Sequence, residues 1–236
     1  MKKILHRASE RGFANYGWLK THYSFSFANY YDPNKMNFGA LRVLNDDVIK
    51  GGTGFGTHPH QNMEIVTIPL SGALAHKDSL GNSSVIRAGE TQIMSAGRGI
   101  EHSEFNPSPT DDVTLLQIWV LPKTKDIEPR YEQKFFPESE CKNRFQTIVS
   151  PDRASGGVWI NQDAWFSLGD FDANQSVSLA LKSQSSGVYL FVIDGAVEVG
   201  GETLKRRDAI GVWDIDAIDI KILEDSKLLA IEVPMN

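Results

Sequence analysis

Short apolar runs rich in β-branched and aromatic residues recur along the chain, and each is bounded by Gly, Asn, Asp, Ser or Pro. Runs of this length match single strands, whereas apolar positions at helical spacing over three or more turns are hard to find. The pattern predicts an all-β protein. The predicted strands include residues 40–44, 63–70, 73–78, 84–86, 91–94, 115–121, 158–162, 177–181, 188–193, 196–199, 209–212, 218–223 and 228–233.

Glycine-containing segments punctuate these runs and predict how successive strands are joined. Leu80-Gly81-Asn82 predicts a tight turn, and Leu70-Ser71-Gly72 joins two runs closely enough to predict a hairpin. The same order of apolar run, Gly turn and second run appears in both halves of the chain. The matched segments are 65–74 with 189–198, 86–90 with 204–208, and 115–119 with 228–232.

A change of character in the middle of the chain predicts the boundary between two domains. Residues 123–129 are charged and lack a periodic apolar face, and the mixed stretch 131–144 follows them, so we interpret this region as the interdomain connection. A length of 236 residues is enough for two barrels of ordinary domain size. We therefore predict two copies of one barrel, residues 1–125 and 126–236.

Composition and charge exclude several classes of partner. The net charge is −6 and the Lys and Arg residues are scattered, so there is no basic stripe for direct nucleic-acid binding. No apolar run is long enough to span a bilayer, and the start of the chain, Met1-Lys2-Lys3-Ile4-Leu5, is broken by His6 and Arg7 before an export signal can form. We expect a cytoplasmic protein without a membrane partner.

The single cysteine, Cys141, predicts an ordinary thiol, and the lack of heptads favours a monomer.

The histidines are concentrated in the first half of the chain, where two of them form a pair. His58 and His60 are two residues apart, so an extended strand points both rings to one face, and His102 and Glu104 have the same spacing. Two adjacent antiparallel strands with these pairs facing inward gather three imidazoles and a carboxylate around one metal ion. Such a donor set leaves coordination positions open for substrate or dioxygen.

The identity of the fourth ligand stays open on spacing alone. Glu64 has the same parity as His58 and His60 on a continuing strand and competes with Glu104. His76 lies beyond the Gly72 turn and is interpreted as a solvated or turn-stabilising residue. Neither His6 nor His22 has a paired donor, so we expect no metal there.

Several segments resemble a known family. The first cupin motif is matched by Gly52, His58, His60 and Glu64, and the second, lengthened by two residues, by Gly89, Gly97, His102 and Asn106. Residues 25–33, 55–60, 76–81 and 94–104 are similar to signature segments of the pirin family. The resemblance covers nearly the whole chain and is strongest from residue 10 to 135. Ser95, where the general motif has Pro, and the longer spacing from Gly97 to His102 are both shared by pirins.

The resemblance implies two tandem cupin barrels, with a metal site in the first barrel and none in the second. It also implies Glu104 as the fourth ligand, which leaves Glu64 as a neighbour of the ligands or a pocket residue. One divalent metal ion per chain is expected, with iron first and manganese, cobalt, nickel, copper and zinc as alternatives that imidazole and carboxylate also accept.

Bacterial pirins are similar to quercetinases, which open a flavonol ring with dioxygen and release carbon monoxide. The resemblance implies the same reaction here, with a flavonol-like aromatic substrate and Glu104 as the base for the 3-hydroxyl proton once it loosens from the metal. A non-enzymatic regulatory module with a protein partner and a different cupin reaction are the alternatives. The apolar pocket residues expected from nearness to the motifs are Phe25, Phe27, Met63, Met94 and Phe105.

Overall fold

Strands account for nearly all of the regular structure, as the alternation of apolar runs and turn residues predicts. The computed structural model describes residues 1–235, and within them no helix is long and apolar enough to cross a membrane. The helices are short 3-10 turns at Ala8–Glu10, Glu138–Glu140 and Arg153–Ser155. The strands are β1 Lys2–His6, β2 Gly12–Asn15, β3 Leu19–Tyr23, β4 Leu41–Ile49, β5 Gly54–His60, β6 Glu64–Ser71, β7 Ala73–Asp78, β8 Ser83–Arg87, β9 Glu90–Ser95, β10 Ile100–Phe105, β11 Val113–Val120, β12 Arg130–Phe135, β13 Phe145–Ser150, β14 Val158–Trp159, β15 Trp165–Phe171, β16 Ser176–Ala180, β17 Ser186–Asp194, β18 Ala196–Val199, β19 Glu202–Lys205, β20 Ala209–Trp213, β21 Ala217–Ile222 and β22 Ser226–Pro234.

The strands form two barrels of the same construction, each from a seven-stranded and a four-stranded sheet. The first barrel has the orders β12-β9-β6-β11-β4-β3-β2 and β5-β10-β7-β8, and the second has β1-β20-β17-β22-β15-β13-β14 and β16-β21-β18-β19. The sequence matches between the halves fall on equivalent strands, since β6 and β11 occupy the positions of β17 and β22. The predicted all-β fold of two tandem cupin barrels is confirmed.

The two halves exchange an edge strand. Strand β1 pairs antiparallel with β20 of the second barrel, from Lys2 opposite Trp213 to His6 opposite Ala209. Strand β12 pairs with β9 of the first barrel and holds the equivalent edge position. The strand pairing therefore crosses the predicted boundary between residues 125 and 126 in both directions. As a division into folding units, that boundary stays a prediction.

One local prediction is wrong and another is incomplete. The hairpin at Leu70-Ser71-Gly72 does not form, because β6 and β7 belong to different sheets and the chain turns a barrel corner at Gly72, whose φ is 72°. Gly195 turns the equivalent corner in the second barrel with a φ of 87°. Residues 131–144 are not only a connection, because most of β12 lies in them. The polar residues of β12 reflect its position at a sheet edge, where one side of the backbone has no neighbouring strand.

Apolar side chains fill the space between the two seven-stranded sheets. Leu44, Val66, Phe166, Tyr189 and Leu229 are fully buried members of one cluster drawn from both barrels. The interior of the second barrel is filled by a separate apolar cluster that includes isoleucines of β21. The interior of the first barrel is different, because histidine, glutamine, glutamate and threonine side chains lie there. The polar interior identifies where the chemistry of the chain is located.

Candidate metal centre

Strands β5 and β10 bring the three predicted histidines together. They pair antiparallel with His102 directly opposite His58, and the two-residue spacing turns His60 to the same side. The ring centroids lie 4.5 Å apart for His58 and His102, 4.8 Å for His58 and His60, and 4.9 Å for His60 and His102. One nitrogen from each ring lies within 4.8 Å of the others, a spacing that suits three ligands of one ion.

A β-bulge beside the histidines widens the set of side chains that face them. The register of β10 against β5 shifts between His102, opposite His58, and Glu104, opposite Phe55. Phe55 and His58 are three residues apart and would face opposite sides of a regular strand, yet both line the same cavity because of the bulge. Gly54 permits the close strand approach, since a Cβ atom there would lie 2.2 Å from the carbonyl oxygen of Glu104.

A hydrogen bond fixes the tautomer of His58, and burial favours neutral imidazole at His60 and His102. The Nδ1 atom of His58 lies 2.8 Å from the carbonyl oxygen of Gly56, which can only accept, so Nδ1 carries the proton and Nε2 is free to bind an ion. Burial, followed by the charge of His58, lowers the pKa of His60 to about 4. Burial, with His58 and His60 next in effect, lowers the pKa of His102 to about 3.

His76 is buried behind His102, so a solvated position is wrong and the turn-stabilising alternative agrees with its contacts. It is 2% exposed, and its Nε2 donates to the Asp78 carboxylate at 3.0 Å. Its Nδ1 lies 3.5 Å from Nδ1 of His102, a long contact that leaves His102 Nε2 directed away from it. Asp78 also accepts from the backbone N–H groups of Leu80 and Asn82, so the predicted Leu80-Gly81-Asn82 turn is present and the His76 ring is tied to it.

Glu104 lies beside the histidines and is held by an oriented amide. Gln117 Nε2 donates to both of its carboxylate oxygens, at 3.1 and 3.0 Å, while Gln117 Oε1 accepts from the Thr67 hydroxyl at 3.0 Å. Asn45, Gln117 and Thr67 are direct cross-strand neighbours on β4, β11 and β6, which explains why their side chains share this face. Burial raises the pKa of Glu104, and the Gln117 hydrogen bonds oppose that rise.

The arrangement fits a metal ion. His102 Nε2 is buried and has no hydrogen-bond partner among residues 1–235, an unusual state for a nitrogen whose lone pair can accept a hydrogen bond or bind a metal ion. Three imidazoles and one carboxylate are a donor set typical of iron, manganese, nickel and zinc sites. The potential ligand atoms fall into two groups, each within 4.8 Å. One group contains His58, His60 and His102, and the other contains His76, His102 and Glu104. The Glu104 carboxylate is turned toward Gln117.

Glu64 lies away from this site, so its interpretation as a neighbour of the ligands or a pocket residue is wrong. Strand β5 ends at His60, and β6 begins at Glu64 in another sheet after a turn in which Asn62 has a φ of 51°. The turn resets the strand parity. Glu64 is fully buried between the barrels, where one carboxylate oxygen accepts from Ser95 Oγ at 2.7 Å and from the backbone N–H of Asn161 at 3.0 Å.

A cavity of about 210 Å³ encloses the candidate ligands, and we call it the histidine cavity. The indole of Trp119 lies 4.9 Å from His60 between ring centroids, and Phe27 lies 5.1 Å from Trp119. The indole N–H of Trp119 is buried and has no partner within the described chain. The residues that line the histidine cavity are Phe27, Asn45, Asp47, Phe55, His58, His60, Ile65, His102, Glu104, Gln117 and Trp119.

Of the five apolar residues expected in this cavity, Phe27 alone is among those that line it. Phe25 belongs to the core between the barrels, and Met94 is fully buried in a small cluster that Met63 packs against. Phe105 is 46% exposed. Nearness to a motif in the sequence does not predict which residues line the cavity, because neighbouring residues of a strand face opposite sides. Phe55 and Trp119 were missed, and the i, i+3 relation of Phe55 to His58 gives no signal before the bulge is known.

The remaining singled-out residues lie elsewhere. His6 is buried in the core between the barrels, where its Nδ1 lies 2.9 Å from the Tyr189 hydroxyl. His22 is half-buried and packs against Phe13 at 4.8 Å between ring centroids. Neither belongs to a group of potential metal ligands in residues 1–235. Cys141 is a half-buried free thiol whose pKa is raised by burial, so it is less nucleophilic than an ordinary cysteine.

Comparison with known proteins agrees with this geometry. The family model described as Pirin matches residues 5–120, and the model described as Quercetinase C-terminal cupin domain matches residues 147–233. A quercetin 2,3-dioxygenase of Escherichia coli is 45% identical over 98% of this chain and 98% of its own length. A pirin-like protein of Caulobacter vibrioides is 43% identical over 94% of this chain and 95% of its own length.

A solved structure has nearly the same fold. The bacterial pirin YhhW from Escherichia coli in complex with nickel(II) matches with a TM-score of 0.94 and 43% identity, over 100% of both chains. The family-model matches cover most of the chain, and the identities extend over nearly its full length. The chain belongs to the pirin family.

Proposed function

We propose that this chain is a metal-dependent dioxygenase of the quercetinase type, which opens a flavonol ring with dioxygen and releases carbon monoxide. The observation that carries the proposal is the cluster of three histidines facing a buried carboxylate in an aromatic-lined cavity. The quercetin 2,3-dioxygenase of Escherichia coli, 45% identical over nearly the full chain, supports the same activity here.

We assign the ion to His58, His60, His102 and Glu104. The unpartnered Nε2 of His102 and the Gly56 carbonyl that fixes the His58 tautomer support two of these ligands. The nickel(II) complex of YhhW, 43% identical to this chain, supports binding of a divalent metal. Iron is the proposed native metal and nickel a competent substitute. An ion held here supplies a Lewis acid for the substrate oxygen atoms and promotes the reaction with dioxygen.

Glu104 is the group proposed to remove the 3-hydroxyl proton of the flavonol. It is a buried carboxylate that lines the histidine cavity, and both of its oxygens accept from Gln117. A carboxylate held by an amide can move one oxygen toward a proton while the other keeps its hydrogen bond. Positioning of this kind contributes about 10²- to 10⁴-fold to the rate of a proton transfer.

The enclosed cavity favours an enzyme over a purely regulatory module. His58 and His60 are half-buried, whereas His102 and Glu104 are buried, so the ion site opens into a cavity and is not spread over an exposed surface. Trp119, Phe27 and Phe55 provide apolar walls of the kind that bury a flat aromatic molecule. A cytoplasmic location and a monomeric state stay predictions, which cell fractionation and light scattering test.

The test is oxygen consumption and carbon monoxide release with quercetin, measured on protein loaded separately with iron, manganese, nickel, cobalt, copper and zinc. We expect at least one form to consume one dioxygen per carbon monoxide released. Glu104→Gln keeps the size of the side chain and should lower turnover at least 100-fold. His22→Ala is the control that leaves turnover unchanged. Failure of every metal form would refute the proposed substrate.

A further inference from the structure

A second cavity adjoins the histidine cavity. It measures about 260 Å³ and is lined by residues of β3, the preceding turn and the loop after β3, so we call it the aromatic cavity. The two cavities share Phe27, Asn45, Asp47 and Phe55 as lining residues. Each is smaller than the roughly 300–1,000 Å³ of an ordinary small-molecule site, whereas the two together fall within that range.

Two rows of aromatic rings run from the aromatic cavity to the histidines. Trp18 meets Phe55 edge to face at 4.9 Å between centroids, and Phe55 lies 6.3 Å from His58. In the second row, the Tyr23 ring lies 5.9 Å from Phe27 between centroids. Phe27 contacts Trp119, and Trp119 contacts His60. The space between the rows suits a flat molecule longer than one ring, since aromatic walls bind planar ligands through their faces and edges.

Three buried polar atoms without hydrogen-bond partners belong to residues that line the aromatic cavity. Asp47 Oδ1, Asn45 Oδ1 and Thr21 Oγ1 are buried and have no hydrogen-bond partner in residues 1–235. Asp47 and Asn45 are each 4% exposed, and Thr21 is 1% exposed. Thr21 is the direct cross-strand neighbour of Asp47. Buried acceptors without donors are costly, and the oxygens of Asp47 and Asn45, beside a Thr21 hydroxyl that can also donate, indicate a ligand that brings hydroxyl donors.

We propose that Asp47, supported by Thr21 and Asn45, accepts a hydrogen bond from a phenolic hydroxyl on the part of the substrate remote from the metal, and so selects polyhydroxylated over unsubstituted flavonols. The choice of ligand rests on the proposed quercetinase function. Asp47 is a specificity-determining residue in this scheme and takes no part in proton transfer.

A hydroxyl group fits the aromatic cavity better than an amine does. The carboxylate and the amide oxygen provide acceptors, and a neutral phenol can be buried between aromatic walls without the desolvation cost of an ammonium ion. The reacting hydroxyl is held at the other end, beside His58, His60 and His102. The two ends of one molecule are thereby recognised by different chemistry.

The first experiment measures anaerobic binding of quercetin and of 3-hydroxyflavone, which lacks all hydroxyls but the reacting one, to the nickel-loaded protein. Burial raises the pKa of Asp47 to about 7, so binding is measured at pH 8, where the carboxylate is mostly ionised. Asp47→Asn should then weaken quercetin binding about tenfold or more, the effect of losing a hydrogen bond to a charged group, and change 3-hydroxyflavone binding less than twofold. Thr21→Val should act in the same direction with a smaller effect. Asp47→Asn is nearly isosteric, and the unfolding midpoint and metal content are measured for every variant.

Asp46→Asn is the matched control. Asp46 is the neighbour of Asp47 on the opposite face of β4, where it pairs with Arg11 and Arg207. Its variant loses stability without touching either cavity, so both ligands should bind as they do to the unchanged protein. Equal weakening of both ligands by Asp47→Asn, no effect on either, or absence of quercetin binding to the unchanged protein would overturn the inference.

Turnover is measured separately, so the two proposals fail differently. A protein that binds quercetin with the expected Asp47 pattern but consumes no dioxygen contradicts the dioxygenase proposal and leaves Asp47 as a ligand-selecting residue. A protein that turns over quercetin and 3-hydroxyflavone with the same ratio before and after Asp47→Asn contradicts the Asp47 assignment alone.

Discussion

The side-chain amide of Gln117 donates to both carboxylate oxygens of Glu104, at 3.1 and 3.0 Å. The amide cannot rotate freely, because its own oxygen accepts from Thr67. Gln117 and Thr67 therefore fix the orientation of Glu104. They contribute to the proposed metal site although neither is proposed as a ligand.

Gln117→Leu should lower metal affinity by about 10- to 100-fold, the usual effect of removing a residue that orients a ligand. The buried Glu104 carboxylate would lose its donor and favour the protonated form, which binds metal poorly. Competition with a calibrated chelator measures the affinity. Thr67→Val removes only the hydroxyl that orients Gln117, so its effect on metal affinity should be smaller. An equal or larger effect would contradict the proposal that Thr67 acts on Glu104 only through Gln117.

His60→Ala and His102→Ala should each lose the metal while circular dichroism still shows an all-β fold. Glu64→Gln should retain it, because Glu64 binds Ser95 and Asn161 between the barrels. Elemental analysis of protein purified in parallel measures the stoichiometry. One equivalent of metal in either histidine variant would refute the ligand assignment.

His76→Leu should lower metal affinity about tenfold without removing a ligand, because His102 would lose the ring that packs behind it, 5.3 Å away between centroids. His22→Leu is the matched control, since His22 is half-buried in the same barrel and is not among the residues that line either cavity. Chelator competition on both variants decides the question. Indistinguishable affinities would show that His76 is only a support of the Asp78 turn.

Glu64 should make the metal-free protein less stable as the pH rises from about 4.5 to 7. Burial raises its pKa to about 7 from an ordinary 4.5, so the folded state holds the proton more strongly than the unfolded chain in this window. Stability is therefore lost as the pH rises. Glu64→Gln should remove up to about 3 kcal/mol of this dependence. Urea unfolding at pH 4.5 and 7.5 measures it, and an unchanged slope would contradict the assignment.

Deletion of residues 1–6 should speed amide hydrogen exchange in β20 while leaving the histidine cavity able to bind metal. β1 is the edge partner of β20, and its removal leaves those N–H groups without acceptors. Lys2→Ala is the control, because it removes only the exposed ion pair with Asp214 and such pairs contribute little. Slower metal binding with unchanged exchange in β20 would contradict this expectation.

Sequence reasoning predicts the fold class and the three histidines because both depend on local periodicity. Strands that bury both faces, such as β17, are visible as apolar runs, and the two-residue spacing of His58 and His60 survives in any extended strand. Strands at sheet edges are missed, because β1 and β12 carry charged and polar residues that do not alternate cleanly.

The walls of the site are less predictable because they depend on contacts between distant strands. Strand parity makes Glu64 a rival fourth ligand, but the turn at Asn62, which has a positive φ, breaks the strand and removes that parity. Gln117 joins the site only because β11 pairs with both β4 and β6. Trp119 and Asp47 are named by no motif, and nothing in the linear sequence shows that a bulge lets Phe55 face His58.

The exchange of β1 and β12 also determines the order in which the molecule is completed during synthesis. The first barrel has all of its strands once residue 135 has been made, so its sheets can close while the second barrel is still unfinished. Strand β1 is made before the first barrel, yet its partners are residues 209–213. It has no sheet to join until they are made, and the charges of Lys2 and Lys3 disfavour its pairing with other chains in that interval. A strand made before the first barrel is thus fixed only after most of the second barrel has been made.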